Sequence, residues 1–232
     1  MRFNSPLIPA RFLERRQRFL ALVEFADSRR AWVHVPNSGA LTGCAPPGGE
    51  ILLTGDGRPG RKTDHTWRFT RGPAGWICID TLVPNRVVAE ALATGSLPDV
   101  PKLVQVRSEV TLPGGSRLDF VLDTGGKLLF LEVKSVTWVE DGVALFPDGV
   151  TERGRRHLEE LMNLVRQGHQ AWQVFVVQRH DARVLKPAAA VDPAYALALA
   201  AAASQGVRIL VLREKIQPPE ITLASTLPYD LT

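Results

Sequence analysis

The stretch RLDFVLDTGGKLLFLEVKSVT, residues 117–137, decides the fold of the C-terminal part of the chain. Two apolar runs flank the pair Gly125–Gly126, a pattern typical of two antiparallel strands joined by a tight turn. Charged residues interrupt both runs, Asp119 in the first and Glu132 and Lys134 in the second. Because side chains alternate between the two faces of a sheet, Glu132 and Lys134 are expected on the same face.

The apolar pattern also predicts the register of these strands. If Asp123 pairs with Leu128, three apolar pairs fall on one face: Leu118 with Val133, Phe120 with Leu131, and Leu122 with Leu129. The same register places Asp119 opposite Glu132, and the preceding strand places Glu109 opposite Asp119. We therefore predict that four charged residues gather on one face of the sheet: Glu109, Asp119, Glu132 and Lys134.

Such a cluster favours a divalent-cation site, since opposed carboxylates repel each other unless something neutralises them. We expect Mg²⁺, or Mn²⁺, to bind Asp119 and Glu132 directly, and Glu109 directly or through water. Lys134 is expected to position or deprotonate an attacking water, or to stabilise charge in the transition state. The predicted catalytic chemistry is phosphodiester hydrolysis; the alternative is a surface ion pair between Glu132 and Lys134.

The elements around this segment predict an α/β domain. A short helix is expected over 84–94, a strand over 103–112, and a third strand over 128–139 after the one at 116–123. Two capped helices and two apolar strands follow: a helix over 151–167 with Thr151 as N-cap, a strand over 171–179, a helix over 193–205 with Asp192 as N-cap, and a strand over 207–212. This order predicts an α/β domain with a mixed sheet.

The N-terminal part of the chain has a different pattern, namely short strands separated by turn residues. Candidate strands cover residues 18–25, 29–36, 50–54, 66–70 and 75–80. Five strands in so short a segment predict a small closed β-barrel, of OB type by preference and SH3-like as the alternative. Five aromatic residues are expected mostly in its core, with base stacking as the alternative role: Phe19, Phe25, Trp32, Trp67 and Trp76. The predicted domains are 1–83 and 84–232.

The composition, with 45% hydrophobic and 22% charged residues, is that of a globular protein. No apolar run reaches the length of about 18 residues that a membrane-spanning helix needs, and the N-terminal residues lack the apolar core of a signal peptide. The two cysteines, Cys44 and Cys78, are too few for a disulfide framework. We therefore expect a cytoplasmic protein with no membrane partner.

The charge is concentrated at the N-terminus. Residues 1–30 contain seven arginines and three acidic residues, an excess of four that equals the net charge of the whole chain, +4. Arginine binds phosphate oxygens through its planar fork, so we expect a nucleic-acid-binding surface, with a solvated basic face as the alternative. Its candidate residues are Arg11, Arg15, Arg16, Arg18, Asn37 and Ser38, the last two in a PNSG loop that is expected either to cradle a phosphate or to form a tight barrel loop.

Asp119 with the Glu132-Val133-Lys134 run resembles the PD-(D/E)xK nuclease superfamily, which implies that the mixed-sheet α/β domain is restriction-endonuclease-like. The whole chain resembles the sugar fermentation stimulation protein A family more closely, through stretches that run nearly end to end: HVPNSGALTGC (34–44), RKTDHTW (61–67), IDTLVPN (79–85), RLDF (117–120), FLEVKSVT (130–137), FPDGVTERGRRHLEEL (146–161) and LPYDL (227–231). The resemblance implies an OB fold followed by a nuclease-like domain, DNA binding linked to regulation of sugar-utilisation genes, and a nuclease-like site at Asp119, Glu132 and Lys134.

Three functional hypotheses follow from the sequence. The first is a Mg²⁺-dependent nuclease of PD-(D/E)xK type that acts on DNA, with RNA as the alternative substrate. The second is a non-catalytic DNA-binding transcriptional regulator that retains the nuclease scaffold. The third, which has less support, is a small-molecule or nucleotide enzyme that uses the PNSG loop. Assembly as a homodimer stays open, and Asp148 and His157 are further residues that could approach the predicted site.

Overall fold

The structure is a computed structural model that describes residues 1–55 and 63–232. Residues 61 and 62 of the RKTDHTW stretch lie outside the described residues. Within them, the chain forms fifteen strands and three helices. The barrel domain contains the first six strands: β1 (Leu7–Arg16), β2 (Leu20–Phe25), β3 (Arg30–His34), β4 (Glu50–Gly55), β5 (His65–Gly72) and β6 (Gly75–Cys78).

The barrel domain has the strand order β3-β2-β1-β4-β5-β6 over its described residues, and a parallel bridge between His34 and Thr66 closes β3 onto β5. Alternate residues of β2, such as Ala21 and Val23, face a single apolar core. This architecture is the small closed β-barrel that the sequence predicts. Strand β1 was absent from the prediction because it contains Pro9 and several charged residues and buries few side chains.

The aromatic residues of the barrel divide between core and surface. Phe25 and Trp67 belong to the barrel core, and Trp67 is fully buried. Phe19 is 49% exposed, and Trp32 is half-buried outside the core cluster. Trp76 packs at the junction with the second domain. The expectation that most of these rings form the core therefore holds for only two of the five.

The C-terminal domain is built on one mixed sheet. Its elements are α1 (Val83–Thr94), β7 (Gln105–Thr111), β8 (Arg117–Asp123), β9 (Leu128–Val136), β10 (Trp138–Glu140), β11 (Val143–Phe146), α2 (Glu152–Arg166), β12 (Gln170–Val177), β13 (Val184–Pro187), α3 (Pro193–Ser204), β14 (Arg208–Gln217) and β15 (Glu220–Thr226). The large sheet has the order β15-β14-β12-β9-β8-β7, with β12 parallel to both neighbours and the other pairs antiparallel. The predicted mixed-sheet α/β domain is thus confirmed.

Helices cover both faces of this sheet. Strand β12 is buried on both sides, with Val174 in the core under α1 and Phe175 in the core under α2 and α3. Such continuous apolar strands are typical of parallel segments covered on both faces. Helix α2 begins at its N-cap Thr151, whose side chain accepts from the Gly154 amide, and α3 begins at its N-cap Asp192. Both predicted caps are confirmed.

Three features of this domain differ from the prediction. The expected strand over 128–139 is divided between β9 and β10, because β10 pairs with β11 in a separate sheet of order β10-β11-β13. Strands β10, β11 and β13 have only three or four residues each, too few for a recognisable pattern. Strand β15 was also not predicted, since only one of its seven residues is buried.

The first three residues of the chain pack on the second domain. The Phe3 amide donates to the Pro219 carbonyl, and the N-terminal ammonium of Met1 pairs with Glu90 of α1. Phe3 belongs to an apolar cluster at the domain junction, which also contains Cys78 of β6 and Ile216 of β14.

None of the helices in the described ranges is long and apolar enough to cross a lipid bilayer.

Candidate functional site: a charged cleft between the two domains

The two domains enclose a cleft of about 940 Å³. Its barrel wall includes Arg15, Arg18 and the loop that follows β3, and its other wall includes the strands around Glu132 and the start of α2. All four charged residues that the strand register predicts on one face line this cleft: Glu109, Asp119, Glu132 and Lys134.

The predicted register holds for most of the sheet and breaks at Asp119. The pairs Asp123 with Leu128 and Phe120 with Leu131 form as expected, and the antiparallel ladder between β8 and β9 ends there. The predicted pairing of Leu118 with Val133 and of Asp119 with Glu132 is therefore wrong. Leu118 packs in the core under α2, whereas Phe120 packs under α1. The prediction that Leu118 shares a face with Phe120 is therefore wrong. Because the strand changes orientation here, the side chain of Asp119 reaches the main chain of β9.

Asp119 is held by two hydrogen bonds, one to each carboxylate oxygen. The Asn85 amide nitrogen Nδ2 donates to Oδ1 at 2.6 Å, and the Val133 main-chain amide donates to Oδ2 at 2.7 Å. Burial, and secondly the charge of Glu132, raise the pKa of Asp119. Asp119 is half-buried and Glu132 is buried. When two such carboxyl groups affect each other's ionisation, a cation bound between them stabilises the site.

Glu132 lies on the cleft floor and is only 3% exposed. The Lys134 ammonium donates to its Oε1 at 2.6 Å, and Nδ1 of His157 contacts the same oxygen. Burial raises the pKa of Glu132, but the hydrogen bond from His157 and the charge of Lys134 outweigh burial, so the pKa lies below its usual value. The other oxygen, Oε2, is buried and has no hydrogen-bond partner among the described residues.

His157 reaches Glu132 from α2, where it occupies the buried face of the helix beside Leu158 and Leu161. The Arg153 Nε donates to the Nε2 atom of His157 at 3.4 Å. Because Nε2 accepts, the ring proton is assigned to Nδ1, from which it is donated to Glu132 Oε1. The side chain of His157 is therefore both oriented and buried, and it fixes one oxygen of Glu132.

Glu109 lines the same cleft without joining the other carboxylates. Its side chain is 65% exposed and forms an ion pair of 3.5 Å with Arg117. Its φ of 51° is a left-handed conformation, which interrupts the regular geometry of β7 at the residue expected opposite Asp119. Within the described parts of the chain, no hydrogen bond or ion pair connects Glu109 to Asp119 or Glu132. Glu109 is thus placed at the solvent-exposed edge of the site.

On the barrel wall, Arg15 organises the loop that follows β3. Its Nη2 and Nη1 donate to the carbonyls of Asn37 and Gly39 at 2.6 and 2.8 Å, and its Nε donates to the carbonyl of Arg18 at 2.7 Å. Burial lowers the pKa of Arg15, although the guanidinium stays a cation at any ordinary pH. Three of its donors are therefore engaged by the protein, and Arg18 is the more exposed cation of this wall.

The PNSG loop packs tightly against the protein itself. Asn37 is buried, donates to the Ile79 carbonyl at 3.0 Å and accepts from the Gly39 amide at 2.7 Å. The Leu41 amide donates to the carboxylate of Asp148 at 3.3 Å, and Asp148 leaves no room for a side chain at position 39. The anion next to this loop is therefore a carboxylate of the chain. Ser38 is the exposed member of the loop.

Two of the four predicted arginines lie outside the cleft. Arg11 contacts the Gly48 carbonyl at 3.5 Å, and Arg16 pairs with Glu14 at 3.0 Å. Neither is among the residues that line the cleft, whereas Arg15, Arg18, Asn37 and Ser38 are. The structure thus brings two of the arginines together with the carboxylates and leaves the other two on the outer surface of the barrel.

The carboxylates fit a hard divalent cation. Asp119 and Glu132 supply oxygen donors, and the unpartnered Oε2 of Glu132 is the buried polar atom that a cation would satisfy. Among the residues that the structure describes, no group of three or more His, Cys, Asp or Glu side chains is arranged to enclose a metal ion. A cation held here would therefore keep water in part of its coordination shell, as Mg²⁺ usually does.

Three supporting residues were not predicted as part of the site. Asn85 comes from α1, far from Asp119 in sequence, and its only signal was its place in the IDTLVPN stretch. Gln173 of β12 donates to the main-chain carbonyl of Glu132 at 2.9 Å and is fully buried. The sequence indicates His157 only as a residue that could approach the site. Periodicity gives no sign of such contacts, because they depend on how helices pack on the sheet.

Comparison with known proteins confirms the predicted OB fold of the barrel domain. Two family models match, "SfsA N-terminal OB domain" over residues 13–79 and "Sugar fermentation stimulation protein RE domain" over residues 82–220. A sugar fermentation stimulation protein homolog from Citrifermentans bemidjiense is 42% identical over 228 residues, which cover 98% of this chain and 99% of the relative. A homolog from Thioalkalivibrio sulfidiphilus is 41% identical, with 100% and 99% covered. The structure of Pyrococcus furiosus SfsA in complex with Ca²⁺ matches with a TM-score of 0.89 and 28% identity, covering 99% of this chain and 98% of that one.

Proposed function

The chain belongs to the sugar fermentation stimulation protein family, and on this premise we propose that it is a DNA-binding protein that hydrolyses phosphodiester bonds at Asp119, Glu132 and Lys134. The observation that carries the proposal is the pair of carboxylates in a cleft, Glu132 buried and Asp119 half-buried, with one unpartnered oxygen and one ammonium beside them. The family name and the arginines on the barrel wall support a role of this binding in regulating sugar-utilisation genes.

Asp119 and Glu132 are the residues that would hold Mg²⁺ or Mn²⁺. The relative from Pyrococcus furiosus was solved in complex with Ca²⁺, a cation that also takes oxygen ligands. When bound, such a cation polarises a phosphate oxygen and lowers the pKa of a bound water. The surrounding contacts suit this use, because Asn85 and Val133 orient Asp119 while His157 fixes one oxygen of Glu132.

The side chains of this chain then have separate roles. In the hydrolysis, the oxygen of water bonds to phosphorus, the bond from phosphorus to one bridging sugar oxygen breaks, and that oxygen gains a proton. Lys134 lies in an ion pair with Glu132, so it is an ammonium that can donate to a phosphate oxygen as negative charge develops. It is therefore better suited to stabilise the transition state than to deprotonate water.

The test is cleavage of a supercoiled plasmid and of labelled oligonucleotides by purified protein with EDTA, Mg²⁺ or Mn²⁺. We expect cleavage only with the metal, and a loss of about 10³-fold or more for Asp119→Asn and for Lys134→Met. Glu109→Gln is the matched control at the rim of the same cleft. If Asp119→Asn and Lys134→Met cleave as fast as the parent, the proposed site is wrong.

A non-catalytic DNA-binding regulator is the second candidate. It is favoured by the absence of a three-ligand acidic group within the described residues, and by the engagement of Glu132 Oε1 by both Lys134 and His157. This candidate predicts DNA binding that weakens steeply with salt, because phosphate contacts release counterions. DNA binding with no cleavage in EDTA, Mg²⁺ or Mn²⁺ would select it over the nuclease.

A further inference from the structure

We propose that the nucleic acid that enters the cleft is an unpaired strand, single-stranded DNA or RNA, in preference to an intact duplex. This inference rests on the proposed function, since it assumes that a phosphodiester reaches Asp119 and Glu132. Three observations carry it: the depth of the carboxylates, the contact between the cleft walls, and the apolar side chains exposed along the cleft.

The reactive groups are recessed. The side chains of Glu132 and Lys134 are 4% and 14% exposed, and they lie in a cleft of about 940 Å³. That volume is within the range of about 300–1,000 Å³ that is typical of small-molecule sites. It accommodates a few nucleotides of one strand. In a duplex, base pairing holds the two strands together. Both strands would therefore have to fit near the cleft floor for one phosphodiester to reach it.

The two walls of the cleft meet on one side. The barrel loop and the segment before α2 are joined by the hydrogen bond of 3.3 Å from the Leu41 amide to Asp148. Gly39 and Asp148 are packed so closely that a Cβ atom at position 39 would collide with the carboxylate. Both Gly39 and Asp148 line the cleft. A flexible single strand can bend into a cleft bounded in this way, whereas a stiff duplex cannot.

The lining combines cations with exposed apolar groups. Leu82 and Val150 are 59% and 72% exposed, and both line the cleft together with Trp138. Such side chains pack on the faces of bases, which are accessible only when the bases are unpaired. Arg18 and Arg117 line the same cleft and supply charge for the phosphates. The cleft therefore has partners for both parts of an unpaired nucleotide.

The experiment compares fluorescein-labelled 20-mers: oligo(dT), oligo(U) and a blunt DNA duplex. Affinity is measured by fluorescence anisotropy in Ca²⁺, and cleavage is followed in Mg²⁺. The variants are Val150→Ser in the cleft and Val104→Ser as the matched control, since Val104 is 71% exposed and lies outside the cleft. The oligo(dT) and oligo(U) arms distinguish DNA from RNA.

We expect at least one of the single strands to bind about tenfold or more tightly than the duplex, and Val150→Ser to weaken that binding by about threefold or more while Val104→Ser leaves it unchanged. Equal or tighter binding and cleavage of the duplex would overturn the inference and leave the proposed function standing. If the two valine variants change the affinity for the single strand equally, the cleft is not the binding surface and the inference is overturned. Failure to bind or cleave any of the three probes would overturn the inference and the proposed function together.

Discussion

Two buried glutamates of the C-terminal domain have opposite surroundings. Glu132 on β9 and Glu214 on β14 lie on strands that both pair with β12, and they are 3% and 0% exposed. Glu132 is contacted by Lys134 and His157, and its pKa is lowered despite burial. Within the described residues Glu214 has no hydrogen-bond partner on either oxygen, and burial raises its pKa to about 8.

The difference lies in which charges surround each carboxyl group. Glu214 faces an apolar junction near Cys78, where burial outweighs the small opposing effect of the N-terminal ammonium. A carboxyl group in such a place is mainly protonated at pH 7, so it has no negative charge with which to bind a cation. Glu132, with two nitrogen donors at one oxygen, is an anion at the same pH. Burial alone therefore does not mark a metal ligand; the partners of the carboxyl group do.

The largest expected effect on the free energy of unfolding comes from the ionisation of Glu214 as the pH rises. In the unfolded chain its carboxyl ionises near pH 4.5, and in the folded protein only near pH 8, so the unfolded state binds fewer protons between these values. The contribution of Glu214 to stability is present below pH 4.5 and is lost as the pH rises through 8, by about 5 kcal/mol in total. Urea unfolding at pH 5, 7 and 9 measures this loss.

Glu214→Gln removes the titrating group and should flatten the pH dependence by that amount. Glu50→Gln, on the exposed side of β4, is the control that should leave the profile as it is in the parent. If Glu214→Gln loses stability with rising pH as steeply as the parent, the contrast between the two glutamates is wrong.

Removal of the Lys134 ammonium beside Glu132 should have the next largest effect on the free energy of unfolding. Lys134→Met leaves a buried carboxylate with His157 as its main partner, and breaking a buried ion pair costs about 3–5 kcal/mol. Lys127→Met is the matched control, because Lys127 is exposed in a turn. A loss of unfolding free energy as small as that of the control would show that Glu132 does not depend on Lys134.

Asn85 offers a finer test of how the site is held. Asn85→Ala removes the 2.6 Å hydrogen bond to Asp119, and loss of such a contact typically weakens metal binding by about 10-fold or more. Isothermal titration with Mn²⁺ measures the affinity, and Asn4→Ala, at an exposed position, serves as the control. An unchanged affinity in Asn85→Ala would show that Asp119 needs no such support.

The smallest effect is expected at Glu109, the exposed carboxylate of the same cleft. Surface ion pairs such as that with Arg117 contribute about 1 kcal/mol at most, so Glu109→Gln should change the unfolding free energy by less than about 0.5 kcal/mol. Cleavage should fall far less than in Asp119→Asn. A loss as large as that of Asp119→Asn would instead make Glu109 a direct ligand.

Much of the site followed from strand alternation. The pairing of Asp123 with Leu128 and the common face of Glu132 and Lys134 depend only on a two-residue period, which the apolar pattern of 117–137 defines clearly. The change of strand orientation at Asp119 did not follow, because a local break in a ladder has no periodic signal. The left-handed conformation of Glu109 is of the same kind.

The remaining contacts depend on packing between elements that are distant in sequence. Asn85 and His157 meet the strands only because α1 and α2 cover opposite faces of the sheet, and no pattern within either helix indicates which polar residue will reach across. The arginines show the same limit. Their number near the N-terminus predicted a basic surface, but their spacing did not reveal that Arg15 supports a loop while Arg16 lies outside the cleft.

Binding of Mn²⁺, followed by electron paramagnetic resonance at pH 7, tests the central claim that Asp119 and Glu132 hold a cation on the cleft floor. The parent protein should bind about one ion tightly per chain, Glu132→Gln should lose this site, and Glu214→Gln should keep it. Unchanged Mn²⁺ binding in Glu132→Gln, or no tight site in the parent, would contradict the account.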